Sequence, residues 1–61
     1  MCLAKVYLNH DESEVFTESV INFTQNGDEL TFHSIFDGAK TVKGTVESID
    51  FSDSIINVIT K

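Results

Sequence analysis

The chain has one cysteine, no proline, no tryptophan, no arginine and three glycines in its 61 residues. A single cysteine excludes an intrachain disulfide. That exclusion matters because a chain this short buries only about 60% of the surface its unfolded form exposes. Metal binding or a partner subunit remain as the usual ways to steady so small a core. The positive charge comes from Lys5, Lys40, Lys43 and Lys61, scattered along the chain against ten acidic residues, for a net charge of −6 and a pI near 4.4. A phosphate backbone would be repelled, so no nucleic-acid partner is expected. The acidity suits solubility first, with attraction of cations or of a basic partner as the other reading. No run approaches the roughly 18 apolar residues of a membrane span, and the start lacks the charged region and apolar core of a secretory signal. The expectation is a cytoplasmic protein without a membrane partner, where a lone thiol stays reduced. With no linker and no low-complexity tract, residues 1–61 read as one domain.

What the chain does have is apolar residues at a spacing of two. Leu3 to Leu8 reads as a first strand, with Ala4, Val6 and Leu8 on one face and Leu3 and Lys5 on the other. Asn9 to Ser13 is polar and turn-forming, and Glu14-Val15-Phe16 opens the next apolar run. Ser13 to Val20 is the only stretch with helical character. Ser19 to Thr24 is rich in β-branched and aromatic residues, and Asn26-Gly27 after it is a strong hairpin signal, read as a type I′ turn with positive φ at both residues. Leu30, Phe32 and Ser34 alternate with Thr31, His33 and Ile35 before a turn at Phe36-Asp37-Gly38-Ala39. Thr41 to Phe51 is long for one strand, and Gly44 within it marks a bulge or a sharp bend. A turn at Asp50 to Ser54 leads into a last strand, Ile55 to Thr60. The pattern predicts an all-β fold, a small antiparallel barrel or rolled sheet of five to six short strands.

Candidate chemistry concentrates on Cys2. A free cysteine is commonly a small hydrophobe packed at a strand start. Its position offers a second reading, because removal of the initiator methionine before a small residue would make it the amino terminus. Thiolate and terminal nitrogen then chelate one metal ion in a five-membered ring, once the metal displaces their protons. One chain gives two donors, or three with a neighbouring backbone amide. A two-fold dimer gives two thiolates and two nitrogens, which in a plane suit Ni(II) or Cu(II) and in a tetrahedron Zn(II). His10, among Asp11, Glu12 and Glu14, reads as a solvated loop residue, and His33 as a sheet-surface residue. Asp50 and Asp53 read as carboxylates that bond their own turn. Gly27, Gly38 and Gly44 do not form a phosphate-binding loop, and no orienting group completes a Cys/His pair. The expectation is a protein that is not an enzyme.

MCLAKV at the start, Ser19-Val20, Phe36-Asp37-Gly38, Val42-Lys43-Gly44 and Ile49-Asp50-Phe51-Ser52-Asp53-Ser54 resemble, in matching order over nearly the whole chain, the CooT family of small nickel-binding proteins. The start alone is also similar to the HypC hydrogenase chaperones. The CooT resemblance implies a cytoplasmic, homodimeric, metallochaperone-like accessory protein that binds Ni(II) and serves the maturation of nickel carbon monoxide dehydrogenase. The family's metal-binding residue falls on Cys2, one from each subunit, which implies one Ni(II) per dimer. The HypC likeness implies instead a chaperone that uses Cys2 to engage metal-site assembly machinery. An RNA-binding small barrel is a third reading, against which the charge speaks: no basic residues interleave with Tyr7 and the five phenylalanines.

Overall fold

The computed structural model describes residues 3–61. Five strands follow in order: β1 (Ala4–Leu8), β2 (Val15–Asn26), β3 (Glu29–Ser34), β4 (Gly38–Asp50) and β5 (Ile55–Thr60). Each pairs antiparallel with the next, and β5 returns to β1 to close a barrel. The closing pair is parallel, from Lys5 opposite Ile55 to Leu8 opposite Val58. Parity requires it: in an up-and-down ring with an odd number of strands, the first and last run the same way. Closure leaves no strand edge open to another chain. Asn9 prolongs the seam beyond β1, its amide donating to Val58 O at 2.7 Å and its side-chain oxygen accepting from the Thr60 amide at 3.0 Å.

Two details of the sequence reading are corrected, the length of the strands and the place of the hairpin turn. Two strands are long, β2 with 12 residues and β4 with 13, because each bends and serves two neighbours in turn. Ser13 to Val20 holds no helix. Its β2 part carries a bulge at Ser19 (φ 58°), which turns both Thr17 and Val20 inward although they stand three residues apart. The hairpin turn, finally, is one residue further on. Asn26 pairs with Glu29, so Gly27 and Asp28 are the central residues, and positive φ falls on Gly27 (62°) but not on Asn26. Glycine first with positive φ there is the pattern of a type II′ turn.

Gly44 is the bend in β4. Lys43 opposes Glu29 of β3, while Gly44 opposes Thr60 of β5. A Cβ on Gly44 would stand 2.2 Å from Ile59 O and 2.9 Å from Thr60 Cα, so the backbones meet where only glycine fits.

The core is Val6, Val20, Leu30, Phe32, Ile56 and Val58, contributed by all but β4, with Val42 and Val46 of β4 packed against it. Ala4, Val6 and Leu8 share the inner face of β1, as their alternation requires. Phe32 is fully buried, its ring 5.5 Å from Phe23 and edge-on to Phe16 at 6.4 Å. Among the described residues the two buried polar side chains are both satisfied: the Thr17 hydroxyl donates to Asp37 (3.0 Å) and the Ser34 hydroxyl to Glu18 O (2.6 Å).

Candidate functional site

Two concavities flank β1. Beside its start lies a mainly apolar cleft of about 260 Å³, lined by Ala4, Val20, Ile21, Phe23, Ile49 and Ile56 with the Asp50–Ser54 turn at its rim. It opens where β1 and β2 part: Ala4 opposes Val20, and from there β2 turns away to pair with β3. Beside the end of β1 lies a more polar hollow of about 510 Å³, lined by Asn9, Asp11, Glu14, Phe16 and Lys40 among others. Lys40 is engaged at its wall, donating to Phe16 O at 3.0 Å with its ammonium 5.4 Å from the Phe16 ring centre.

The turn at the rim of the first cleft is locked by one carboxylate. Asp50 Oδ1 accepts from the Ser52 amide (2.9 Å), the Ser52 hydroxyl (2.7 Å) and the Asp53 amide (3.1 Å), as its reading as a self-bonding turn carboxylate anticipated. The Ser52 hydroxyl and then the Asp53 amide hold its pKa below the ordinary value, so it is anionic at neutral pH. Ser54, with φ 57°, closes the turn and accepts from the Lys5 amide at 2.9 Å, which ties it to β1. Between these anchors Phe51 projects, 84% exposed. The sequence reading saw the turn and missed both the cleft and this exposed ring. The available signal was an aromatic residue inside an Asp-x-Ser-Asp turn, where alternation no longer carries a side chain inward.

Of the residues singled out for metal chemistry, Cys2 lies outside the described residues. Among those described, no three His, Cys, Asp or Glu side chains stand close enough to hold a metal ion. His10 (φ 62°), in the loop between β1 and β2, sets Nε2 2.5 Å from Glu47 Oε1 at the bulge of β4. His33 lies mid-β3 between Asn22 and Ala39. The structure therefore ties each histidine to a different neighbourhood and brings neither to the other.

The family model described as CO dehydrogenase accessory protein CooT matches residues 1–59. The chain belongs to the CooT family. A crystal structure assigned to CooT from Carboxydothermus hydrogenoformans is 24% identical, with 98% of each chain covered and a TM-score of 0.84. At that identity the likeness carries the fold, and it shows the closed five-stranded ring to be shared. No curated protein matches the chain. Both matches are to CooT, and neither is to the hydrogenase chaperones that the first residues also resemble. Membership makes the chain an accessory protein, which implies a client enzyme, and among the described residues no helix is long and apolar enough to cross a membrane.

Proposed function

We propose that the protein is a cytoplasmic, homodimeric nickel carrier, without enzymatic activity of its own, that holds one Ni(II) per dimer through Cys2 of each subunit and serves the maturation of a nickel enzyme such as carbon monoxide dehydrogenase. The observation that carries this reading is the family match from residue 1, which takes in the MCLAKV start. Nickel here is cargo. The donor chemistry agrees: no cluster of three donors stands among the described residues, and the chain's one thiol is Cys2. A thiolate with a terminal or backbone nitrogen suits a square-planar ion, and one subunit supplies too few such donors to select a metal, so two are joined across a two-fold axis. Binding expels protons from thiol and nitrogen, so apparent affinity falls as pH drops below neutral.

The test is nickel titration of three forms: the mature protein, Cys2→Ser, and a form that keeps an extra residue before Cys2. Stoichiometry is read by native mass spectrometry and by thiolate-to-nickel charge-transfer absorbance. One metal per two chains is expected in the first and none in the second. Weakened binding in the third identifies the terminal amine as a ligand, whereas unchanged binding identifies the backbone amide. Tight stoichiometric nickel on Cys2→Ser refutes the assignment. Sedimentation at micromolar concentration tests the dimer, and a chain that stays monomeric with nickel present refutes the shared site.

A further inference from the structure

We propose that the cleft between β2 and the end of β4, with Phe51 standing over its rim, is the docking surface for a partner protein that presents an apolar segment flanked by basic residues. Three observations support it. The cleft floor is apolar, and Ile21 and Ile49 at its walls remain 50% and 36% exposed. Phe51 beside them is 84% exposed, so the apolar surface continues from the floor onto a projecting knob. Such a patch rimmed by polar groups marks an interaction site, and an aromatic residue held by a locked turn loses little freedom when it docks.

Charge chooses the occupant. Among the described residues the cleft is lined by one ionisable group, the Asp50 carboxylate, with Asp53 in the same turn, and by no lysine. Lys40 is bonded at the other hollow, Lys61 is paired with Asp28 and Lys43 stands opposite Glu29, seven residues along β4 from Asp50, leaving Lys5, joined to the turn through its backbone amide, as the nearest lysine in the pairing scheme. In a chain of net charge −6 the face is acidic on an acidic background. A second copy would bring another net charge of −6 to this acidic face, whereas basic residues beside an apolar segment gain from both carboxylates and are steered in by the field of the whole chain. This inference does not depend on the nickel reading.

The test titrates isotopically labelled full-length protein with two short synthetic peptides, followed by amide chemical shifts. Both carry the same leucines and phenylalanine, and one has lysine and arginine at the positions where the other has glutamate. The basic peptide is expected to shift Val20 to Phe23 and Ile49 to Ile56 and to bind less tightly as salt is raised. Phe51→Ala should weaken it by about 30-fold, the loss typical of a buried aromatic anchor. Phe36→Ala, which removes an equally exposed ring from the β3–β4 turn, should leave binding unchanged. No response to the basic peptide, equal binding of the acidic one, or an effect of Phe36→Ala matching that of Phe51→Ala overturns the proposal. So do shifts at the same residues that grow with protein concentration and no peptide, since a second copy then fills the cleft.

Discussion

Gly44→Ala should cost this protein a large share of its stability. Gly44 has no positive φ, so the cost is one of space. The added methyl carbon would sit 2.2 Å from Ile59 O and 2.9 Å from Thr60 Cα, and both are backbone atoms that no rotamer change moves aside. Relief requires β4 and β5 to separate where Gly44 opposes Thr60. One backbone hydrogen bond ties the two strands beside that point, Lys61 N to Lys43 O at 3.1 Å, while Gly44 N is held on the other side by Asp28 O of the β2–β3 turn at 2.8 Å. Overpacking of a tight site costs about 1–3 kcal/mol, and the hydrogen bond lost about 1 kcal/mol more, so the total is about 2–4 kcal/mol. At about 0.05–0.15 kcal/mol per residue, a domain of this size has only about 3–9 kcal/mol to lose. Urea unfolding followed by far-ultraviolet circular dichroism measures the loss, with Gly38→Ala as the reference. Gly38 has φ 73° and open space around its Cβ position, so that change should cost only about 1–2 kcal/mol of backbone strain. A Gly44→Ala protein within about 1 kcal/mol of the parent would refute the reasoning, because overpacking of the backbone contact would then be absent.

Gly27→Val should lower stability by more than about 1 kcal/mol through its φ alone, since nothing stands within 4 Å of its Cβ position, and an unchanged melting temperature would contradict the turn. Phe32→Ala empties the centre of the core and should cost about 3–5 kcal/mol, seen as loss of the cooperative unfolding transition. Asp50 and Asp11 are both held below their ordinary pKa, Asp50 by the Ser52 hydroxyl and then the Asp53 amide, Asp11 by the Ser13 hydroxyl and amide. A depressed folded pKa means stability present above the unfolded value and lost as pH falls through the folded one, so melting temperature should decline below about pH 4. The double variant Asp11→Asn, Asp50→Asn should show a shallower decline, and an identical acid limb would count against the two turns.

Much of the barrel is legible because it rests on local rules. The inward face of β1, the bend at Gly44, the Asp50 turn and the alternation of Leu30 and Phe32 each follow from a few residues. What was misread depends on contacts distant in sequence. Asn26-Gly27 favours a turn centred on those two residues, which would set Phe23 opposite Leu30. The observed turn, one residue later, sets Phe23 opposite Phe32 with their ring centres 5.5 Å apart. Packing of two rings thus outweighs the preference of one dipeptide. The bulge at Ser19 is hidden for the same reason: Thr17 and Val20 both face inward at a spacing of three, a step that belongs to helices when read without the partner strand.

Function was legible in a different way. Cys2 carries no periodicity and has no second ligand at metal-site spacing, so residue chemistry alone left it between a packed thiol and half of a chelate. The resemblance of the whole chain decided the family, and the family decides which reading of Cys2 to test. The Phe51 cleft shows the converse. No single residue of it is unusual, since Asp-x-Ser-Asp turns and exposed aromatic residues are both common on surfaces. It becomes a site only when the bend of β2 after Val20 and the closing turn of β4 set apolar floor, aromatic knob and carboxylates side by side. A carrier must hold its cargo and also find its client. On the function proposed above, the two tasks fall to different kinds of feature, one written in a single residue near the chain's start and the other assembled from four strands by closure of the barrel.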